Sequence, residues 1–249
     1  MPLPPTFGAR LVGARRLAPN VRELTFERDD AQPMQFVPGQ WVNAYLPLPG
    51  GAADPEAPLK RAYSIASAPV DSPRFEIAVT RVQNGPGSAW LHAVEPGVPL
   101  KFMGPQGFFT RAPSSAAPSL LIATGTGVTP IRSMVRAALA AGSRAPMWIL
   151  LGVRHEEDML YRDEFEALAR AHPNVRFEPT LSQPGAAWSG RRGYVQAHLP
   201  ELWSGLSASG AELPHAYACG LERMVGSVRE MLRKDMGLPR QQVHAERYD

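Results

Sequence analysis

The residues with the most explicit chemistry lie in one short run, Arg61-Ala62-Tyr63-Ser64-Ile65-Ala66-Ser67. A guanidinium grips a diphosphate through paired hydrogen bonds, a tyrosine ring covers a flat heteroaromatic, and a serine hydroxyl meets a ring nitrogen as donor or acceptor. Those are the three parts of a flavin nucleotide. The run follows a turn-prone stretch, Pro47 to Pro58, and alternates in polarity, so it reads as a strand emerging from a loop. Alternation sets Arg61, Tyr63, Ile65 and Ser67 against Ala62, Ser64 and Ala66. Tyr63 and Ser64 therefore reach one ring only where the strand passes it edge-on or ends. An ordinary barrel strand accounts for the same residues, and on chemistry alone it is the simpler account.

A second candidate is Gly125-Thr126-Gly127-Val128-Thr129-Pro130, between an apolar run, Ser119 to Ala123, and a helical pattern, Ile131 to Ala141. Thr129 is the expected N-cap and Pro130 suits the first helical position. Glycines here let backbone amides approach a diphosphate, and the helix terminus favours negative charge. Two glycines fall short of G-x-G-x-x-G and serve equally as turn chemistry. Cys219-Gly220 ends a later apolar run and should open on the same crevice, although a buried structural cysteine accounts for Cys219 as well. The 6 histidines show no metal-ligand spacing, so no metal centre is expected.

Two kinds of chain must position these residues. Before a proline-bounded, small-residue segment, Arg111 to Pro118, the sequence predicts strands at Gly8 to Leu17, Val21 to Glu27, Trp41 to Leu48, Arg61 to Ser67, Phe75 to Val82 and Val98 to Met103, with a short helix at Ser88 to Ala93. That pattern is a small closed barrel over residues 1–112. After it, strands at Ser119 to Ala123, Met147 to Val153, Val175 to Leu181, His215 to Cys219 and Val243 to Tyr248 alternate with helices at Ile131 to Ala141, Met159 to Ala171 and Leu221 to Asp235. Such alternation predicts a parallel, doubly wound sheet over residues 118–249.

Composition narrows the chemistry further. With 249 residues and 44% apolar content, the chain can bury a core in each half. Its charge of +3 comes from 26 basic and 23 acidic residues interleaved along the chain. No basic block with interleaved aromatics argues for nucleic acid, while a basic face for an acidic protein partner fits. A single cysteine excludes an internal disulfide and a Cys-ligated iron-sulfur cluster. The amino terminus lacks the basic and apolar regions of a signal peptide, and no run of 18 apolar residues occurs, so a soluble cytoplasmic protein is expected.

Taken together, Arg61-x-Tyr63-Ser64-x-x-Ser67, Gly85-Pro-Gly-Ser88-Ala-Trp-Leu91, Gly104-Pro105-x-Gly107-x-Phe109, Gly125-Thr-Gly127-Val-Thr-Pro130, Cys219-Gly220 and Glu246-Arg-Tyr248 resemble the ferredoxin-NADP reductase superfamily. The resemblance covers nearly the whole chain, with six motifs in the expected order. It implies an antiparallel Greek-key barrel holding FAD, then a nicotinamide-nucleotide domain, with the reaction at their interface. By position, Arg61 would bind the flavin diphosphate, Tyr63 would pack on the isoalloxazine, Ser64 would meet its N5, and Ser67 belongs to the same cofactor motif. Gly85 and Ser88 resemble the second phosphate contact. Gly125, Thr126 and Gly127 would hold the nicotinamide nucleotide's diphosphate, Cys219 and Glu246 would line the nicotinamide pocket beside Ser64, and Tyr248 resembles the aromatic covering the flavin's other face. Asp249 follows Tyr248, whereas plant-type members end on their aromatic.

The implied reaction is hydride transfer between nicotinamide C4 and flavin N5, then one-electron steps to an acidic ferredoxin or flavodoxin-like protein. Two other readings stand beside it: the reductase component of an oxygenase system, and a non-catalytic, redox-sensing nucleotide-binding subunit. Nucleotide choice turns on the 2′-phosphate, which wants arginines and hydroxyls beyond the third strand of the second half. Ser182 and Arg191 match an NADP pattern, whereas Gln183 stands where an arginine would be; Arg192 and Arg154 are further cations nearby. The expectation is that NADP and NAD are both accepted, with a modest preference for NADPH that depends on Arg191.

Overall fold

Two sheets form, one from each half of the chain, in the computed structural model, which describes residues 4–49, 57–209 and 212–248. Asp249, the residue after Tyr248, lies outside the described residues. In the first half the alternating strands are β1 (Thr6–Ala18), β2 (Val21–Arg28), β3 (Trp41–Pro49), β4 (Pro58–Ser64), β5 (Arg74–Thr80) and β6 (Pro99–Gln106), with helix α1 (Pro86–Ala93) between the last two. They pair antiparallel in the order β4-β3-β6-β1-β2-β5. An Ile65–Ile77 bridge draws the two edge strands together. The interior is filled by Phe7, Phe26, Phe75 and Phe102, whose ring centroids lie 4.9–5.8 Å apart. This is the expected antiparallel barrel.

β4 stops at Ser64, which meets the condition for Tyr63 and Ser64 to face one ring. The chain then turns inward. The Ala66 amide donates to the Glu76 carbonyl at 2.7 Å, and the Ser67 hydroxyl accepts from the Glu76 amide at 3.2 Å.

The second half supplies β7 (Ser119–Thr124), α2 (Val128–Ala140), β8 (Met147–Val153), α3 (Arg162–Ala171), β9 (Val175–Leu181), β10 (Arg191–Arg192), α4 (Leu199–Ser207), β11 (His215–Leu221), α5 (Glu222–Glu230) and β12 (Val243–Tyr248). All sheet pairs are parallel, in the order β10-β9-β8-β7-β11-β12. The chain winds outward from β7 to β10, then returns to lay β11 and β12 on β7's other side. The reversal between β7 and β11 is where ligands bind in such sheets.

Some element details differ from expectation. The turn Gly125–Gly127 is itself helical, so α2 starts at Val128. Thr129 is inside its first turn and donates to the Thr126 carbonyl at 2.8 Å instead of capping. α4 has no counterpart among the predicted elements, yet its Leu199, Leu202 and Leu206 are buried against the sheet. The last helix keeps regular geometry only to Glu230 and ends in a wider turn, with the Met236 amide donating to the Met231 carbonyl.

The halves are packed together. Ala18, Val21, Ala78 and Phe109 join a core cluster with Val128, Ile131, Met134 and Tyr217. The segment between them wraps one guanidinium: Arg111, 1% exposed, donates to the Ser119 hydroxyl and to the Ala112, Ser115 and Ala117 carbonyls. Among the described residues no helix is long and apolar enough to cross a membrane, and no three metal-ligating side chains gather.

Candidate active site

A cleft of about 350 Å³ lies where the barrel's open edge meets the carboxyl end of the parallel sheet. Its walls are Arg61 to Ser64 of β4, Ala78 to Thr80 of β5, Val82 and Gly85 to Ser88 at the start of α1, then Thr126, Thr129 and Tyr248 from the second half. A shallower hollow of about 410 Å³ outside the barrel, over Thr6–Gly8 and Pro99–Lys101, gathers none of the predicted site residues.

Two helix starts flank the cleft, that of α1 and that of the Gly125–Gly127 turn leading into α2. On the barrel side, α1 begins at Gly85, and Gly87 and Ser88 are buried there. The Ser88 hydroxyl is already used, accepting from the Val82 amide and donating to the Gly85 carbonyl, both at 3.0 Å. What α1 offers a ligand is therefore its backbone amides and positive dipole end. The Arg61 guanidinium stands beside it, exposed, donating to the Lys60 carbonyl at 2.9 Å and pairing with no carboxylate among the described residues. On the other side, Gly125 at φ +52 has open space where a Cβ would stand, so backbone and ligand can approach closely. A Cβ at Gly127 would strike the Cys219 carbonyl, so only glycine lets this turn seat against β11. Thr80 and Thr126 meet across the cleft at 3.4 Å.

Between the two helix starts lie the groups with reactive chemistry. The Ser64 hydroxyl is buried, 2.6 Å from the Tyr248 hydroxyl, and donates to Glu246 Oε1 at 3.4 Å. β12 carries both partners, and its register sets Glu246 opposite Cys219. Burial pushes the Glu246 carboxyl up to about 7, against the opposing pull of the Ser64 hydrogen bond. Burial likewise drives the Cys219 thiol and the Tyr248 phenol upward, so both stay protonated at neutral pH. Tyr63, half-buried against the barrel core, is pushed up to about 12 by the same cause.

Arg61, Tyr63, Ser64, Gly85, Ser88, Thr126 and Tyr248 are thus brought to one cleft, with Gly125, Gly127, Cys219 and Glu246 beside it. Ser67 is not among its walls; its hydroxyl joins the end of β4 to β5. Set against a flavin's parts, the cleft offers a cation paired with no carboxylate among the described residues beside a helix end, a half-buried phenol ring, and a hydroxyl at the strand's end. Thr80 was not singled out in the sequence, and nothing local marks it.

The residues read as 2′-phosphate contacts divide. Arg191 is gripped by two carboxylates, Nε to Glu178 at 2.8 Å and both terminal nitrogens to Glu201 at 2.7 and 2.8 Å. The Glu201 and Glu178 carboxylates hold its guanidinium above the usual arginine range. Arg192 is exposed and donates to the Trp188 carbonyl. Ser182 stands at the end of β9, where its amide and the Gln183 amide tie back to Val153 and Arg154. The exposed Arg154 side chain makes no hydrogen bond or ion pair among the described residues.

Comparison with known proteins decides the family. Residues 8–110 match the oxidoreductase FAD-binding domain and residues 121–230 the oxidoreductase NAD-binding domain. The chain is 60% identical over 244 residues to ferredoxin-NADP reductase B of Sorangium cellulosum, covering 98% of each chain. This protein belongs to the ferredoxin-NADP reductase family. It is an FAD- and NAD(P)-binding oxidoreductase with that family's two-domain fold. A ferredoxin NADP+ reductase from Neisseria gonorrhoeae, solved with bound FAD and NADP, superposes with a TM-score of 0.78 at 20% identity over 97% of this chain and 98% of that one, a likeness of fold. The phenol hydroxylase P5 protein of Acinetobacter pittii is 26% identical over 97% of this chain, which spans 65% of its length.

Proposed function

We propose that this reductase takes electrons from NADPH, and more slowly from NADH, and passes them singly to a separate ferredoxin. Bound FAD would supply the chemistry, accepting two electrons from the nicotinamide and releasing them one at a time. The residues do the positioning. Arg61 and the amino end of α1 bind the flavin diphosphate, Tyr63 backs its ring, and Ser64 holds the ring edge where the barrel meets the second domain. The Gly125-Thr126-Gly127 turn and α2 bind the nucleotide diphosphate. Cys219, kept protonated by burial, is a close-packed wall and not a nucleophile. Glu246, poised near neutrality, holds or releases a proton beside Ser64 without covalent chemistry.

The observation that carries this reading is the Ser64–Glu246–Tyr248 contact, made across the domain boundary between two helix starts. Ferredoxin as acceptor rests on the name of the 60% identical relative; an acidic flavodoxin fits the same role, and a cytoplasmic setting goes with a lone reduced thiol. The similarity to phenol hydroxylase P5 protein favours one other acceptor, an oxygenase component.

For nucleotide choice, the pairing of Arg191 with Glu178 and Glu201 moves the task to Arg154, with Ser182 and Arg192 beside it. Arg191 then braces β10 against β9 and α4.

The deciding experiment is the absorption spectrum of the purified protein and its anaerobic response to reduced nucleotide. Oxidised-flavin bands that bleach with NADPH, followed by reduction of added ferredoxin, are expected. A colourless protein that takes up no FAD and shows no diaphorase activity would leave only a nucleotide-binding, redox-sensing subunit.

A further inference from the structure

A cluster of charges built on a buried arginine lies between the two domains, away from the cleft. Arg132, in the second turn of α2, is 2% exposed, yet its guanidinium leaves its own domain. Its Nη1 donates to the Ala66 carbonyl at 3.0 Å and to Glu76 Oε2 at 2.5 Å, and lies 3.9 Å from Glu23 Oε2. Ala66, Glu76 and Glu23 all belong to the barrel. Its Nε donates to both oxygens of Glu164 on α3, at 3.0 and 2.9 Å, and its guanidinium carbon sits 4.5 Å over the Tyr161 ring. Arg15 closes the cluster by pairing with Glu23 Oε1 at 2.5 Å, and Arg136 approaches Glu164 at 3.4 Å. Three arginines thus face three glutamates, Glu23, Glu76 and Glu164, with Arg132 shared between the domains.

A buried charge is tolerated only where its partners are held in place, and removing one partner leaves the others uncompensated. Arg132 therefore tolerates one relative placement of the two domains. That placement bears on the cleft through short lengths of chain. Ala66 follows Ser64 by two residues, and Arg132 follows Gly127 by five, within the helix whose start would hold the nucleotide diphosphate. We infer that Arg132 is a positioning residue for electron transfer: it sets the separation between the strand end that holds the flavin ring and the glycine turn that holds the nicotinamide nucleotide. The inference rests on the flavin–nicotinamide function proposed above. Alignment of reacting groups is worth a great deal, since a displacement of about 1 Å costs roughly 10²-fold in rate.

The test uses the FAD-loaded protein and three variants. In Arg132→Met, anaerobic flavin reduction at saturating NADPH is expected to slow about 10- to 100-fold. FAD content and the NADP+ dissociation constant should each stay within about 3-fold, because neither helix start loses a contact. Amide exchange at Ile65 and Ala66, whose amides donate to the Gln40 and Glu76 carbonyls, should quicken at least about 10-fold, a readout independent of turnover. Arg132→Lys, which keeps the charge but not the forked donors, should fall between native and Arg132→Met. Should Arg132→Met not fold, Glu76→Gln carries the test: it weakens the cross-domain pair, keeps the Ala66 bond and is expected to slow reduction several-fold. An unchanged reduction rate in the folded variants overturns the inference, as does a slower rate that merely tracks lost FAD or unaltered exchange at residues 65 and 66. If the native protein itself is not reduced by NADPH, the proposed function fails, and the exchange measurement still judges whether Arg132 holds the strand end.

Discussion

The Ser64 hydroxyl and the Tyr248 hydroxyl lie 2.6 Å apart, although 184 residues separate them in the chain. One ends a barrel strand and the other ends β12 of the second domain, so the contact exists only when the two domains are docked. It also leaves the phenol lining the cleft beside Ser64. Under the proposed function, a nicotinamide ring that comes level with that hydroxyl would have to displace the phenol, and the displaced hydrogen bond is worth about 0.5–1.5 kcal/mol. Tyr248→Ala is therefore expected to lower the KM for NADPH by about 2- to 10-fold. A raised KM would show that Tyr248 supports the nucleotide instead of competing with it.

Tyr63 gives a second expectation. Its ring packs against the barrel core while lining the cleft, and its hydroxyl makes no hydrogen bond among the described residues. Removing a stacked ring costs about 0.5–1.5 kcal/mol beyond area burial, so Tyr63→Ala should bind FAD about 2- to 10-fold more weakly. Tyr63→Phe should match the native protein. Equal FAD affinity in all three would return β4 to an ordinary barrel strand.

Glu246 carries a pH dependence of definite sign. Its carboxyl is raised from the ordinary 4.5 to about 7 in the folded protein by burial. The folded state thus holds the proton more tightly than the unfolded state does. The stability this provides is complete below about pH 4.5 and is lost as pH rises toward 7. Glu246→Gln lacks that loss. The melting temperature of the native protein relative to Glu246→Gln should therefore fall between pH 4.5 and pH 7 and level off above; a constant difference would mean that the carboxyl titrates normally.

The arginines near β9 separate in the same way. Arg191→Ala removes partly exposed ion pairs with Glu178 and Glu201, each worth about 0–1 kcal/mol, so it should destabilise the fold by about 1 kcal/mol. The ratio of kcat/KM for NADPH over NADH should stay within about twofold. With Arg154 taking the 2′-phosphate as proposed, Arg154→Ala would remove a charged contact worth roughly 1.5–3 kcal/mol, so the ratio should drop about 10- to 100-fold. Kinetics with both nucleotides on the two variants distinguish them, and a ratio that collapses in Arg191→Ala would restore the role first expected of that residue.

Much of this protein was legible in its sequence because the relevant physics is local. Short Val- and aromatic-bearing runs bounded by turn residues from Gly8 to Met103, and alternating strands and helices after Ser119, name the two sheets through nearest-neighbour preferences. The glycine turn at Gly125 was legible as a turn into a helix because a few adjacent residues build it, whereas Gly85 and Ser88 stood out only through the family resemblance. Thr129 and α4 were misread or missed at the same local level, where a threonine before a proline imitates a cap and Leu199, Leu202 and Leu206 span too few turns to stand out.

What the tertiary structure alone decided depends on partners far apart in the chain. Ser64 became a shared donor and acceptor only when β12 lined up beside β11 and brought Glu246 and Tyr248 over the barrel. Arg191 looked like a phosphate ligand until β10 settled on β9, with Arg191 opposite Thr180, placing its guanidinium between Glu178 and Glu201. Arg132 carried no signal at all, since an arginine in an amphipathic helix reads as solvated. It is buried because the face that α2 presents to solvent in an isolated domain is covered here by the barrel, whose Glu23 and Glu76 supply the charge that makes such burial tolerable.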